Sequence, residues 1–294
     1  MKKLGVIANQ TKKGFDIVAC RIAEWSKERD MEIIFSDKLA LCLNIPVPSL
    51  PFHQLLKEID ALIVLGGDGT ILSIINDMGD KCKPVLGVNL GHLGFLAEIS
   101  VERVCQALEC LRRGDFELKS RMMLHAKVYR NSKCVKQLFA LNEVTVIKGD
   151  FARIIELEMF VNDDFVSDYT ADGLIIATPT GSTGYSLSAG GPVVAPHMGA
   201  LIATQICAHT LAVRPLIISD KETFRVRVRS ENIKIILTVD GRWEYDLAHN
   251  DEVVFLRAYY DATLIHLKDS TFYSVLREKF KWGAREINQK SELI

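Results

Sequence analysis

The sequence predicts an α+β architecture, an α/β N-terminal domain with a parallel sheet followed by a mostly-β C-terminal domain. Three observations carry this. Up to about residue 115, short apolar runs alternate with stretches of helical spacing, the pattern of strands joined by crossover helices. Beyond that point β-type runs dominate. Third, the glycine-rich turn Gly66-Gly67-Asp68-Gly69-Thr70 leaves an unbroken apolar run for a helical one. That places it at the carboxyl end of a strand, where such sheets bind ligands.

Taken in order, residues 4–8 form a first strand, and 15–29 a helix with Ile17, Val18, Ile22 and Trp25 at helical spacing. Residues 32–35 form a second strand. The three prolines within 39–51 read as a loop, and 52–59 as a short helix. Residues 61–65 are a buried strand, because a short continuous apolar run suits a sheet covered on both faces. Ile71, Leu72, Ile74 and Ile75 then resume helical spacing. Residues 85–88 are another strand, and 101–113 a helix stopped by Gly114. The β-rich half carries runs at 123–130, 138–147, 154–161, 165–168, 173–178, 224–229, 233–239, 252–258 and 263–267. Residues 178–196 make a long Gly/Ser/Thr/Pro insert, and loops of that length are more often functional than idle. An amphipathic helix over 273–282 and a polar tail close the chain. The expected domains are 1–115, 116–272 and a C-terminal segment 273–294 that packs back on the first.

The 294 residues are 48% hydrophobic, enough for a sizeable core, and the formal net charge of −1 gives no electrostatic case for nucleic acid or an anionic membrane. No apolar run approaches the ~18 residues of a membrane span. Seven scattered cysteines without a C-x-x-C pair fit reduced thiols in a cytosol and argue against a zinc site.

The glycine turn is built for phosphate: its amides point outward and the helix N-terminus is partly positive. Asp68 is the odd member, since a carboxylate repels phosphate unless it works on a proton or a metal. A tight turn with an Asp cap has the same residues. Asn89-Leu90-Gly91-His92-Leu93-Gly94-Phe95 follows the 85–88 strand as a second glycine loop; His92 binds phosphate, shuttles a proton or, the more common case, orders its own loop. Asn142-Glu143 lies in a β run, where both residues are uncommon. An amide and a carboxylate together suit a base edge and a ribose diol, though a strand end with a polar cap reads the same way. Asp172-Gly173 enters a strand, and Thr178-Pro179-Thr180-Gly181-Ser182-Thr183-Gly184-Tyr185-Ser186-Leu187-Ser188 leaves it. Its hydroxyls, open backbone and flat tyrosine ring can hold and stack a purine.

In this order and spacing, the Gly66–Thr70 turn, Asn89–Phe95, Asn142-Glu143, Asp172-Gly173 and the segment 178–192 resemble NAD kinases. His209-Thr210-Leu211 with Arg214-Pro215, and Val239-Asp240-Gly241, fit later family segments. The glycine turn alone also occurs in lipid kinases and phosphofructokinases; the Thr-Pro-Thr-Gly-Ser-Thr-Gly-Tyr-Ser loop is more specific. The resemblance implies a Rossmann-like or phosphofructokinase-like parallel sheet and a β-rich NAD-binding domain, with NAD in the cleft between. It implies transfer of a terminal phosphoryl group to the adenosine ribose 2′-hydroxyl of NAD. Asp68 is then the base, and Gly66, Gly67, Gly69 and Thr70 shape the phosphate cradle. Asn142 and Glu143 contact adenine and sugar groups, and Asp172 lies near the nicotinamide. Thr183, Gly184, Tyr185, Ser186 and Ser188 hold the adenosine portion, and Arg153 and Arg242 are further ligand contacts. ATP and NAD are the expected substrates, with other triphosphates or polyphosphate left open as donors. Mg²⁺ or another divalent cation arrives with the nucleotide rather than in a protein cage. A cytoplasmic homo-oligomer, dimer or tetramer, without nucleic-acid or membrane partners, is expected. Two readings compete: a related lipid or sugar-phosphate kinase, and a non-catalytic nucleotide-binding regulator.

Overall fold

A computed structural model describes residues 1–29, 31–43, 45–91, 94–149, 153–210, 212–268 and 271–281, Trp243 by its backbone alone. Strands and helices run β1 (Lys3–Ala8), α1 (Phe15–Lys27), β2 (Glu32–Ser36), α2 (Asp37–Ala40), β3 (Ser49–Leu50), α3 (Phe52–Glu58), β4 (Ala61–Gly66), α4 (Asp68–Met78), β5 (Val85–Asn89), β6 (Ile99–Ser100) and α5 (Val104–Arg113). There follow β7 (Phe116–Arg130), β8 (Lys133–Ala140), β9 (Glu143–Lys148), β10 (Ile155–Val161), β11 (Asp164–Ala171), β12 (Gly173–Ala177), α6 (Tyr185–Ser188), β13 (Ala200–Ile206), β14 (Leu216–Ser219), β15 (Phe224–Val228), β16 (Ile235–Val239), β17 (Arg242–Leu247), β18 (Glu252–Leu267) and α7 (Phe272–Phe280). The chain divides into two compact units. One is Met1–Asp68, Leu86–Glu117 and the chain from Ile265 on; the other is Gly69–Val85 with Leu118–Leu264.

The first unit is an α/β layer. Its strands run β5-β4-β1-β2-β3, and the β1–β4, β1–β2 and β2–β3 pairings are parallel. Every residue of β4 is buried, as a strand covered on both faces requires. Leu4, Val6, Ile63 and Leu65 share a core with Ile22 of α1 and Leu108 of α5. Gly114 ends α5 in the left-handed region at φ 80°, which is the stop its sequence announces.

The second unit is a β-sandwich. One sheet is antiparallel, in the order β14-β13-β12-β9-β16-β17. Val144, Leu174 and Leu237 of that sheet meet Leu157, Phe224 and Phe255 of the other in one core. Its opposite face is covered by the 178–196 segment, where Val194 packs with Ile175 and Ile202.

Several elements differ from the sequence expectation for identifiable reasons. Residues 252–258 and 263–267 are one continuous strand, because Tyr259 and Tyr260 favour extension and no Gly or Pro in 259–262 interrupts it. Strands β13, β14 and β17 were not expected. In β13, ALIATQI is buried at every position and so shows no alternation to read. The 101–113 stretch opens with a 3₁₀ turn over Val101–Arg103 before α5. The long insert holds a 3₁₀ turn at Gly181–Thr183 and one helical turn, α6. His92, Trp282 and the polar tail lie outside the described residues.

Candidate active site

The apolar run of β4 ends at Gly66, and α4 begins at Asp68. The Asp68 carboxylate does not cap its own helix. It turns to the loop after β5, where Oδ2 accepts the Phe95 N–H at 2.8 Å and Oδ1 accepts those of Leu96 and Ala97, each at 3.0 Å. Three amides aimed at one carboxylate fix its position. The approach is close enough to require glycine: a Cβ on Gly94 would lie 1.8 Å from Asp68 Oδ1. The loop is anchored in turn. The Phe95 ring lies 6.2 Å from Phe272 and 6.1 Å from Phe280 of α7, and Lys279 Nζ sits 4.4 Å over it. Beyond Ala97, Glu98 Oε2 meets His266 Nδ1 at 2.8 Å. A Cβ on Gly67 or Gly69 would meet nothing within 4 Å, so the surface beside the turn is open.

In the second unit a different set converges. Strand β9 begins at Glu143, and the Thr178 loop docks on the residues just before it. Thr178 N–H donates to Asn142 O at 2.8 Å, and Thr178 Oγ1 donates to Leu141 O at 2.6 Å. The loop lies directly on that backbone: a Cβ on Gly181 would fall 2.1 Å from Asn142 O. Gly184 faces the two side chains, its ideal Cβ position 3.2 Å from Glu143 Oε2 and 3.3 Å from Asn142 Nδ2. Asn142 Oδ1 and Glu143 Oε2 are buried without a hydrogen-bond partner. Orphaned buried oxygens are rare because each forfeits its hydration, which sets these two apart from most buried polar atoms. Burial, and then the nearby Asp240 charge, push the Glu143 carboxyl up to about 8. At neutral pH it therefore carries a proton and can donate as well as accept.

The remaining expected residues take distinct places. Asp172 Oδ1 pairs with Lys148 Nζ at 2.5 Å. Tyr185 opens α6 with 41% of its surface exposed. Burial raises its hydroxyl pKa most, followed by the charges of Cys207, Asp172 and Glu143. Ser186 is fully buried and bonded to Thr204 Oγ1 at 2.9 Å, so its hydroxyl holds the loop in place. Thr183 Oγ1 donates to Thr180 O at 3.2 Å, and Ser188 is exposed at the end of α6. Arg153 is exposed and donates to Asn232 O at 3.0 Å, and Arg242 is exposed at the start of β17. The structure thus gathers Asn142, Glu143, Gly184, Tyr185 and Asp172, while among the described residues neither arginine bonds to that group. Sequence reasoning missed the 95–97 amides, Lys148 and the central place of Asp240. Backbone donors leave no mark in a sequence, but the Asp-Gly pair at 240–241 is a hairpin-turn signal that could have located β17 and Asp240.

Two family models cover most of the chain: the ATP-NAD kinase N-terminal domain over residues 4–116, and the ATP-NAD kinase C-terminal domain over 141–267. Together with the fold they define an enzyme that transfers phosphoryl groups. Among full-length relatives, an NAD kinase from Moorella thermoacetica is 39% identical over 96% of this chain and 90% of its own, and one from Heliobacterium modesticaldum is 41% identical over 96% and 100%. The chain belongs to the NAD kinase family. In fold it is similar to a yeast NADH kinase complexed with NADH, with a TM-score of 0.88 at 23% identity over 97% of this chain and 89% of that one. An NAD kinase from Archaeoglobus fulgidus in complex with ATP aligns at 0.74, with 25% identity over 95% and 98%.

Proposed function

We propose that this chain transfers the terminal phosphoryl group of ATP to the adenosine ribose 2′-hydroxyl of NAD, making NADP, with Asp68 as the base. The observation that carries this is the Asp68 carboxylate, held by three loop amides at the head of a helix beside open glycines. A pure phosphate sensor gains nothing from a carboxylate there, which weighs against a non-catalytic regulator. The relatives' names weigh against a lipid or sugar-phosphate kinase.

A sugar hydroxyl is a poor nucleophile, and one placed base contributes about 10²–10⁴-fold. Oδ2 accepts a single amide and keeps a lone pair for that proton. Asn142 and Glu143 hold the adenine and sugar groups, a role supported by their two orphaned oxygens. Tyr185 stacks on the adenosine portion, flanked by Thr183, Gly184, Ser186 and Ser188. Asp172 faces the nicotinamide end. Arg153 and Arg242, both exposed, supply outer contacts to the substrates. Gly66, Gly67, Gly69 and Thr70 cradle phosphate. Among the described residues no group of three or more His, Cys, Asp or Glu could hold a metal ion. A divalent ion such as Mg²⁺, arriving with the nucleotide, would supply the charge that offsets the γ-phosphoryl group.

The enzyme works in the cytoplasm, a reading supported by its free cysteines and by the lack, among the described residues, of a helix fit to cross a membrane. It works as a homo-oligomer, which the exposed Phe165 and Val166 of edge strand β11 support. The deciding experiment measures NADP formed from NAD with ATP, other triphosphates and polyphosphate, for wild type and Asp68→Asn. The variant keeps its fold and NAD binding and loses most turnover; undiminished turnover removes Asp68 from its role.

A further inference from the structure

Asp240 and Gly241 form the two-residue link between β16 and β17, with φ of 47° and 78°. Such a turn takes Asn-Gly as readily as Asp-Gly, so the turn itself does not ask for a carboxylate. The surroundings do. Oδ1 accepts the N–H groups of Asn142 at 2.9 Å and Glu143 at 3.0 Å. Oδ2 accepts the Leu141 N–H at 3.0 Å and Asn76 Nδ2 at 2.9 Å. The Asp240 N–H completes the set by donating to Glu143 O at 3.0 Å. Burial raises the Asp240 carboxyl above its ordinary range, opposed by the four donors around it. Those donors fill the oxygens' lone-pair positions and leave no room for a proton, so the ionised form is the one this geometry holds.

We infer that Asp240, with Asn76, is a positioning residue that aims the Asn142–Glu143 segment at the dinucleotide and fastens it to the body of α4. The inference rests on the reading that Asn142 and Glu143 grip NAD. Both side chains have a buried oxygen without a hydrogen-bond partner among the described residues. What sets their direction is the backbone they hang from, and three consecutive amides of that backbone end on one carboxylate. Asn at 240 would keep the turn but turn an NH₂ group toward N–H donors. The same substitution deletes a charge facing Glu143, whose other titratable neighbour is Tyr185 of α6.

The test is steady-state kinetics on wild type, Asp240→Asn, Asn76→Ala and Glu143→Gln, with KM for NAD and ATP, kcat, and kcat/KM for NAD against pH. Hydrogen bonds to a charged group set the scale, so Asp240→Asn raises KM for NAD about tenfold or more and Asn76→Ala about threefold. KM for ATP and kcat change far less. The midpoint in the NAD pH profile, near 8 in wild type, drops by about one pH unit in Asp240→Asn, because a like charge has left Glu143. If Glu143→Gln raises KM for NAD while Asp240→Asn and Asn76→Ala do not, the inference is overturned and the binding reading stands. Equal losses for both substrates with an unmoved midpoint also overturn it. If Glu143→Gln leaves KM for NAD unchanged, the binding reading falls and takes the inference with it. Should Asp240→Asn fail to fold, Asn76→Ala decides: an unchanged KM for NAD sinks the proposal.

Discussion

Substituting alanine for Gly94 tests how the Asp68 carboxylate, the proposed base, is held. The added methyl would sit 1.8 Å from Asp68 Oδ1, 2.6 Å from Cγ and 2.9 Å from Oδ2. Carbon and oxygen cannot approach so closely, so loop and carboxylate must part by about 1 Å or more. Misplacement on that scale costs about 10²-fold in rate when a reacting group is involved. It also stretches the bonds from Phe95, Leu96 and Ala97, each worth roughly 1.5–3 kcal/mol when the acceptor is charged. Part of that returns as the freed carboxylate meets water, and each kcal/mol lost lowers Tm by about 2–4 °C in a chain of this size. The assay is NADP formation coupled to a dehydrogenase that reduces NADP, run beside thermal unfolding. Gly94→Ala is expected to lose about 10²-fold in kcat, approaching the Asp68→Asn variant, with KM for NAD nearly unchanged and a modestly lower Tm. Wild-type kcat in a folded Gly94→Ala variant would refute the argument, because the loop could then move without carrying the base.

Phe272→Ala removes one of the α7 rings beside Phe95 and is expected to lower kcat severalfold while leaving KM for NAD in place; equal kcat in the two proteins would disconnect α7 from the site. The raised Glu143 pKa sets a pH dependence of stability. Its ordinary value is 4.5 and its folded value about 8, so between those limits the folded state keeps a proton that the unfolded state has lost. Stability falls as pH rises through that window, by at most about 1.4 kcal/mol per pH unit. Glu143→Gln removes this slope. Unliganded Glu143→Gln therefore gains on wild type as pH climbs from 4.5 to 8 and gains nothing more above it. Parallel Tm–pH curves for the two proteins would contradict the assignment.

The α/β pattern, the β-rich second half and the glycine turn could be read directly because each depends on local chemistry. Short apolar runs, helical periodicity and missing Cβ atoms announce themselves within a few residues. Asn142-Glu143 stood out for a related reason, as polar residues in a run that otherwise favours burial. Strand β13 could not be read so, since burial on both faces erases alternation, and neither could the continuity of β18 through Tyr259-Tyr260-Asp261-Ala262.

The site divides along the same line. Residue identity singled out Asp68, Asn142, Glu143 and Tyr185, because carboxylates, amides and rings among glycines carry recognisable chemistry, and the resemblance to NAD kinases added Asp172 and the role expected of each. Which atoms hold them was a matter for the folded chain. Asp68 is held by amides almost thirty residues downstream, and the Asn142–Glu143 backbone by a carboxylate about a hundred residues away. Those donors are main-chain N–H groups, the same in nearly every residue. Their direction exists only once the loop after β5 and the β16–β17 hairpin have folded against their partners.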